Sequence, residues 1–390
     1  MVSILKESDT LWNLIFGPSP LEDDVSRWMQ QRFVLSHKFV LEQTHGGPCG
    51  ILATIQAFML IEIIFRKKVV VSNVEELISG QVMESVIVSS LVNALEIVIE
   101  RAANGEVSKP IQIVSFNTET KKFETFEMKN PHDLMNLSLL DFLATVVTHR
   151  GIDVVKSDMD DSSTPLISRF GQCSQEILNL VLFGVATSNV FDGDQNIGMP
   201  LRGVPTDANV PIGLLSELEA LRYVTVGSKL KNPIYPFWLI GSTNHYTLLF
   251  SITEIKREEE DPCITAFKAH ELDDGIATGD SVEKISTDLK LNEEDKTKLK
   301  SMVKEDVLLF SDYREWIKSV RGDSSPKNVK NHSLQLFLVD GQHPVSVYAV
   351  TLSETQISIP ESVVDYGENL RGLVRTKWPE YKHVCASKLV

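Results

Sequence analysis

The hydrophobic pattern of the chain is dominated by one long apolar stretch, from Gly50 to Phe65, which is interrupted by Gln56 and Glu62. This stretch falls short of the roughly 20 residues that a membrane span requires. Proline is favoured in the first turn of a helix because its missing N–H costs nothing there, and Pro48 stands just before the stretch. We therefore predict a buried helix over residues 49–66.

Helix-like and strand-like patterns are unevenly distributed along the rest of the chain. Apolar residues at helical spacing predict helices, and alternating apolar residues predict strands. The predicted helices cover 11–16, 24–34, 74–103 with a break near Gly80, 131–149, 174–187 and 212–223. The predicted strands cover 111–116, 123–128, 237–240, 245–250, 333–339 and 345–352. A helical N-terminal part followed by a late antiparallel sheet indicates an α+β protein.

A change in composition divides the chain. Residues 254–330 are rich in lysine and glutamate in a helical pattern, unlike the sequence on either side. We predict that 1–253 and 331–390 form one domain, which the helical module 254–330 interrupts.

Charge and cysteine content narrow the classes of function. The formal net charge is −15, and because binding to nucleic-acid phosphates requires a basic surface we expect no nucleic-acid partner. The four cysteines are far apart and form no CxxC pair, which argues against a zinc knuckle and a disulfide scaffold. The first eleven residues carry charges instead of the apolar core of a secretory signal. We expect a reduced chain in the cytoplasm or nucleus, with no cofactor, metal or membrane partner.

The most informative motif is Gly46-Gly47-Pro48-Cys49. Its glycines allow a sharp turn, and Cys49 then begins the long helix, where free N–H groups and the helix dipole favour the thiolate that attacks in acyl transfer. The alternative is a structural cysteine, since free cysteines are commonly buried. Gln43, six residues earlier, favours catalysis, because papain-like proteases place a glutamine amide at this separation to donate to the oxyanion. Its own alternative is a solvated loop residue.

A thiolate nucleophile needs an imidazole that holds the ion pair and protonates the leaving amine. Among nine histidines, His245 is the best candidate, because it begins a predicted strand directly after a turn, where papain-like folds place their base. A third group should accept a hydrogen bond from the other ring nitrogen. Asp340 is suitable if its strand neighbours that of His245, although Asp-Gly is also an ordinary turn dipeptide. Asn189 and Asp192 are the alternatives.

With these residues identified, the chain resembles the MINDY family of deubiquitinases, in the branch of its third and fourth members and nearest the third. The similar stretches extend from about residue 10 to 380 and include 41–49, 187–194, 219–227, 236–245 and 375–379. The resemblance implies a papain-like cysteine protease that hydrolyses isopeptide bonds in ubiquitin chains and prefers lysine-48-linked polyubiquitin. Its partners would be ubiquitin, polyubiquitin chains and ubiquitinated proteins.

The same resemblance assigns roles to the candidate residues. It implies that Cys49 is the nucleophile, His245 the general base and Gln43 the oxyanion donor. The assignment of Asp340 as the third catalytic residue follows less directly, because the family varies at that position.

The third member of that family also has an EF-hand-like insertion after its histidine strand, and residues 266–317 occupy this place here. With Gly275 of Asp273-Asp274-Gly275 as the sixth loop position, positions one, three and twelve are His270, Leu272 and Ser281. Calcium needs oxygen ligands there, including a bidentate glutamate at position twelve. We therefore predict a degenerate module that binds no calcium and serves as a structural element or a partner surface.

Two other classes of function compete with this hypothesis. One is a catalytically inactive ubiquitin-binding adaptor with the same fold, which the intact Gln43, Cys49 and His245 argue against. The other is an unrelated thiol acyl-transfer enzyme, such as a peptidase or a transglutaminase-like protein. Binding of lysine-48-linked chains without cleavage favours the adaptor, whereas cleavage of a small peptide ester without ubiquitin preference favours the unrelated enzyme.

Overall fold

The chain divides into two compact units in the computed structural model. The structure describes residues 3–4, 8–69, 71, 73–105, 110–196, 198–255, 262–273, 276–321, 333–355, 367–379 and 381–390. The larger unit comprises Met1–Ile255 with Ser333–Val390, and the smaller unit comprises Lys256–His332.

The long apolar stretch forms the core helix, Cys49–Ile61, which continues as a π-helical turn over Glu62–Arg66. All 13 residues of the core helix are buried. The span Cys49–Arg66 is long and apolar enough to cross a membrane, and 83% of it is buried inside the protein. A helix that is apolar on every side is typical of the centre of a large core.

Two helices of the larger unit, Glu84–Ala102 and Gln175–Phe183, pack directly against the core helix. The other α-helices are Ser8–Phe16, Glu22–Gln30, Glu75–Ile78, Leu139–Arg150, Ile152–Asp158, Glu217–Ala220, Ser228–Lys231 and Gly367–Arg375, with a 3₁₀ helix at Pro131–Asn136.

Two predicted helices are shorter in the structure. The segment 131–149 is divided at Ser138, whose side chain accepts a hydrogen bond from the backbone of Asp141 and so caps a new helix. The helix predicted over 174–187 ends at Phe183, because Gly184 adopts a left-handed conformation with φ of 88°.

The larger unit contains a six-stranded central sheet. Its strand order is His383–Lys388, Ser346–Ser353, Ser333–Asp340, Tyr246–Phe250, Phe237–Gly241 and Gly213–Ser216. Neighbouring strands are antiparallel except for the last pair, which is parallel. Smaller sheets contain Ser3–Ile4, Gln112–Asn117 and Lys122–Glu127; Leu35–Ser36 and Val40–Leu41; and Gln195–Asn196 and Pro200–Leu201.

The two faces of the central sheet contribute to two hydrophobic clusters, because side chains alternate along a strand. Leu248 and Phe250 belong to the main core, and their strand contacts the core helix. Leu249 belongs to a second cluster with residues of the C-terminal helix and with Trp378. The strand Tyr246–Phe250 is therefore held between two packed layers, which fixes the position of its first residues.

One predicted helix is wrong in type. The segment 212–223 begins as the strand Gly213–Ser216, and only Glu217–Ala220 is helical. A short, fully buried run of apolar residues in a parallel strand lacks the alternation that marks a half-buried strand. Ser216 ends the strand and caps the short helix through its side chain.

The smaller unit has its own core and is not purely helical. Its helices are Pro262–Ala269, Ser281–Asp288, Glu293–Ser301 and Phe310–Arg321, and its sheet contains Glu271–Asp273, Ile276–Thr278 and Val307–Leu309. Phe267, Tyr313 and Trp316 form the centre of its core. Asp274 and Gly275 of the predicted loop lie outside the described residues. Helices and sheets in both units confirm the α+β class.

Candidate active site

The loop before the core helix requires glycine at position 47. Gly47 has φ of 121°, and a Cβ there would lie 2.3 Å from the carbonyl oxygen of Gly171. Cys49 follows as the first residue of the core helix and is 6% exposed. The sulfur of Cys49 lies 3.9 Å from the carbonyl oxygen of Gly47. The glycine therefore allows the segment at Gly171 to approach the loop before Cys49 closely.

His245 stands directly before the strand Tyr246–Phe250 and closes a tight turn. The backbone N–H and the hydroxyl of Ser242 both donate to the carbonyl oxygen of His245, each at 3.0 Å. Thr243 within this turn donates its hydroxyl to Glu217 at 2.7 Å. The backbone that carries the imidazole is thus fixed by the sheet on one side and by these hydrogen bonds on the other.

Asp340 is the hydrogen-bond partner of His245. The strands that carry these two residues are antiparallel neighbours, with Leu248 opposite Val339, and His245 Nε2 lies 2.8 Å from Asp340 Oδ1. The same carboxylate oxygen accepts the backbone N–H of Gln342 at 2.9 Å. Both side chains are only about one fifth exposed, at 19% for His245 and 20% for Asp340. A partly buried carboxylate fixed in this way orients the imidazole and stabilises its protonated form.

The environment of His245 favours the imidazolium ion. Burial lowers the pKa of His245, but the hydrogen bond to Asp340, the proximity of Cys49 and the charges of both groups outweigh it and raise this pKa to about 10. At neutral pH the ring is therefore protonated. Since Nε2 is engaged with Asp340, the other ring nitrogen, Nδ1, is the one available to the sulfur.

Gln43 is buried and lines the same cavity as Cys49 and Tyr246. Its backbone N–H donates to the carbonyl oxygen of Gly341 at 2.7 Å, next to Asp340. Its side-chain Nε2 donates to the carbonyl oxygen of His45 at 2.7 Å. The amide is thus close to Cys49 but engaged with its own loop.

Two buried glutamines hold the segment of Gln43 and were not singled out from the sequence. Gln31 donates to the carbonyl oxygen of Glu42 and accepts from the backbone N–H of Thr44, each at 2.9 Å. Gln56 in the core helix accepts from the backbone of Leu41 at 2.7 Å and donates to that of Phe39 at 3.0 Å. The interruption of an apolar helix by Gln56 was the available signal, because a buried amide requires partners.

Cys173 is a second thiol at this site that the sequence did not indicate. Its sulfur lies 3.5 Å from the carbonyl oxygen of Gly47, and its backbone N–H donates to that oxygen at 3.3 Å. Burial raises the pKa of the Cys173 thiol and the neighbouring Cys49 adds to this effect, whereas the backbone N–H groups of Ile51 and Gly50 oppose it. Burial and the same two cysteines also raise the pKa of Tyr246.

The alternatives considered for the third residue have other partners. Asn189 donates to Asp160 at 2.8 Å. Asp192 accepts from the backbone and hydroxyl of Ser228, each at 2.7 Å. Their side chains therefore stabilise loops and a short helix, whereas Asp340 contacts the imidazole.

The described part of the chain contains no cluster of potential metal ligands. No set of three or more histidine, cysteine, aspartate or glutamate side chains there is arranged to hold an ion. None of the four cysteines, all of which lie among the described residues, forms a disulfide.

Comparison with known proteins identifies related sequences. The family model described as "Deubiquitinating enzyme MINDY-3/4, conserved domain" matches residues 13–139 and 120–261. The chain is 31% identical over 295 residues to the ubiquitin carboxyl-terminal hydrolase MINDY-3 of Danio rerio, covering 62% of this chain and 64% of that protein. For MINDY-3 of Xenopus tropicalis the identity is 33% over 272 residues, covering 59% and 61%.

A more distant relative is the probable ubiquitin carboxyl-terminal hydrolase MINDY-4 of Homo sapiens, at 29% identity over 288 residues, covering 64% of this chain and 36% of that protein. The chain spans less than two thirds of the length of these relatives. No solved structure matches it. The family model covers more than half of the chain, including Gln43, Cys49 and His245. The chain therefore belongs to the MINDY-3/4 family.

Proposed function

We propose that this chain is a cysteine-type deubiquitinase that hydrolyses isopeptide bonds in ubiquitin chains. The observation that carries the proposal is the position of His245, which lies beside Cys49 and forms a hydrogen bond of 2.8 Å with Asp340. A sulfur beside a protonated imidazole, itself held by a carboxylate, is the arrangement that thiol acyl transfer requires.

In the proposed reaction the Cys49 thiolate attacks the carbonyl carbon of the isopeptide bond. A C–S bond forms, and the carbonyl oxygen becomes an oxyanion. His245 then donates its proton to the leaving lysine amine as the C–N bond breaks, which leaves a thioester. The neutral imidazole next takes a proton from water, and the resulting attack releases the ubiquitin carboxylate and restores the Cys49–His245 pair.

Gln43 is the proposed donor to the oxyanion, together with the backbone N–H of Cys49. A donor of this kind contributes on the order of 100- to 1000-fold in turnover. Its amide now donates to His45, so that hydrogen bond has to be exchanged for one to the substrate. The buried clamps from Gln31 and Gln56 hold the backbone while the side chain turns.

The proposed substrate is lysine-48-linked polyubiquitin. The extended, glycine-ending tail of ubiquitin needs a narrow path to the Cys49 sulfur, and we expect small residues near this path at Gly46, Gly47 and Gly241. Gly46 is exposed beside the nucleophile, and a Cβ at Gly241 would lie 2.9 Å from the ring of Tyr246. The preference for the lysine-48 linkage rests on the family resemblance.

The remaining expectations complete the proposal. The larger unit acts as a catalytic domain with a papain-like core, and the smaller unit is a degenerate EF-hand-like module that binds no calcium. The partners of the protein are ubiquitin, polyubiquitin chains and ubiquitinated proteins, and they include no nucleic acid and no membrane. The protein acts in the cytoplasm or nucleus.

One observation favours a second candidate, a catalytically inactive ubiquitin-binding adaptor. The Gln43 amide is engaged with His45, and the Cys49 thiol lies within 3.9 Å of the Gly47 carbonyl oxygen. If ubiquitin binding does not turn these groups, the chain binds without cleaving.

The test uses a ubiquitin probe with a reactive C-terminus and a panel of diubiquitins of defined linkage. We expect covalent labelling and cleavage of the lysine-48 linkage by the wild type. Both should be lost in Cys49→Ala and His245→Ala and retained in Cys385→Ser, the matched control within the same unit. An adduct that persists in Cys49→Ala contradicts the assignment, whereas binding without adduct or cleavage supports the adaptor.

A further inference from the structure

Two thiols, Cys49 and Cys173, share one acceptor at the candidate active site. The sulfur of Cys49 lies 3.9 Å and that of Cys173 3.5 Å from the carbonyl oxygen of Gly47. The distance between the two sulfurs therefore cannot exceed the sum of these two distances. The proposed hydrolysis gives Cys173 no task.

The backbone around Cys173 is tied to the nucleophile loop. The N–H of Cys173 donates to the Gly47 carbonyl at 3.3 Å, and the indole of Trp28 donates to Gly171 at 2.8 Å on the approach to Cys173. A disulfide needs Cα atoms about 4.4–6.8 Å apart, so the two residues must be held as neighbours. This tether holds Cys173 beside the loop that leads into Cys49.

We propose that Cys49 and Cys173 form a reversible intramolecular disulfide when Cys49 is oxidised by a hydroperoxide. This modification site rests on the proposed function only for its effect on activity. The disulfide removes the nucleophile from the reaction and protects it from irreversible oxidation, since sulfenic acid that is not captured proceeds to sulfinic and sulfonic acids.

The chemistry balances with hydrogen peroxide as the oxidant. The Cys49 thiolate attacks one peroxide oxygen, the O–O bond breaks, and the released hydroxide takes up a proton to give water and a Cys49 sulfenic acid. The Cys173 sulfur then attacks the sulfenic sulfur, an S–S bond forms, and the leaving hydroxide combines with the Cys173 proton as a second water. Two thiols lose two hydrogen atoms in total, and a dithiol reductant restores them.

The positions of the two cysteines suit different roles in this sequence. The protonated imidazole of His245 lies beside Cys49, and Cys49 begins the core helix, so Cys49 is the thiol placed to react with peroxide. Burial keeps Cys173 protonated at neutral pH, so it does not react with peroxide first. The backbone N–H groups of Gly50 and Ile51 lower the pKa of Cys173 and so stabilise negative charge on its sulfur as it attacks the sulfenic acid.

The test exposes the reduced full-length chain to hydrogen peroxide and blocks the remaining thiols by alkylation. Peptides are then mapped by mass spectrometry without reduction. We expect a linked pair of peptides that contain Cys49 and Cys173, formed in parallel with the loss of probe labelling. Dithiothreitol should reverse both changes. Detection of the linked peptides needs no ubiquitin turnover, so a chain that forms the disulfide without hydrolysing ubiquitin refutes the proposed function alone.

Variants separate capture by Cys173 from oxidation of Cys49 alone, with each activity referred to that of the same untreated variant. In Cys173→Ser we expect no linked peptides and a several-fold lower fraction of activity recovered by dithiothreitol. Cys385→Ser, which changes a cysteine on a strand of the same unit, should behave like the wild type. Wild-type Cys49 that reaches sulfinic acid without linked peptides, or equal recovery in Cys173→Ser and wild type, overturns the inference.

Discussion

The hydrogen bond between His245 and Asp340 predicts the pH dependence of the proposed reaction. In the wild type the pKa of His245 is about 10, so we expect activity to persist at mildly alkaline pH and to fall as the imidazolium loses its proton. Asp340→Asn keeps the size of the side chain but removes its charge. The pKa of His245 then falls, and the alkaline limb moves toward neutral pH.

The size of this shift follows from the hydrogen bond. A hydrogen bond to a charged group contributes about 1.5–3 kcal/mol, and at about 1.4 kcal/mol per pH unit the limb should move by about one to two pH units. Relative to its own activity at about pH 7, Asp340→Asn at about pH 9 should therefore be about two- to tenfold less active than the wild type.

Asp340→Asn should also lower the stability of the folded chain. Because folding raises the pKa of His245, protonation stabilises the folded chain fully below about pH 6.5. This stabilisation is lost as the pH rises through about 10. Asp340→Asn should reduce the free energy of unfolding within this window and below it.

The assay is release of a fluorescent amine from the ubiquitin C-terminus across the pH range, with thermal unfolding measured in the same buffers. Asp207→Asn provides the matched control, because Asp207 is an exposed carboxylate of the larger unit. An alkaline limb that stays in place in Asp340→Asn refutes the argument that Asp340 holds the imidazolium.

Three further substitutions test the surroundings of the nucleophile. Gly47→Ala should lose most activity and about 1–3 kcal/mol of stability, because its Cβ would lie 2.3 Å from the Gly171 carbonyl oxygen. Gly46→Ala, whose Cβ would have its nearest neighbouring atom at 3.7 Å, is the control for stability, and equal losses in the melting curves count against this contact. Gln56→Leu removes the hydrogen-bond partner of the Leu41 N–H and the Phe39 carbonyl and should lower the free energy of unfolding by about 1–3 kcal/mol. An unchanged midpoint in chemical denaturation argues against a stabilising role for these hydrogen bonds. Gln43→Ala should reduce kcat about 100- to 1000-fold at nearly constant KM, and a change confined to KM assigns Gln43 to binding instead.

Local motifs in the sequence account for those candidate site residues that could be proposed without the fold. Gly-Gly-Pro before an apolar helix specifies a turn and a helix start, so Cys49 could be located without any knowledge of the fold. Asp340 depended on the pairing of two strands separated by a long insertion, which a sequence pattern does not specify. Its proposed role, like those of Gln43 and His245, stays a prediction until the variants are measured.

The residues that the sequence did not reveal act through tertiary contacts. Cys173 lies 124 positions after Cys49 and approaches it only because the Gly47 carbonyl accepts its backbone N–H. Gln31 is an ordinary polar residue by pattern, and its burial at 1% exposure follows from the loop that folds over it. The error at 212–223 has the same origin, since a strand covered on both faces is recognised by its neighbours more than by its own period.

The insertion of the smaller unit has a consequence for how freely this chain can vary. His245 precedes one strand and Asp340 ends the next, so the residues between them join the opposite ends of the two strands. The five residues Tyr246–Phe250 span about 17 Å at strand spacing. The connection between these two strands therefore begins and ends away from His245, where a hairpin turn would otherwise join them. A longer, shorter or exchanged connection should therefore leave the register of His245 and Asp340 unchanged, because the strand pairing beside it stays intact.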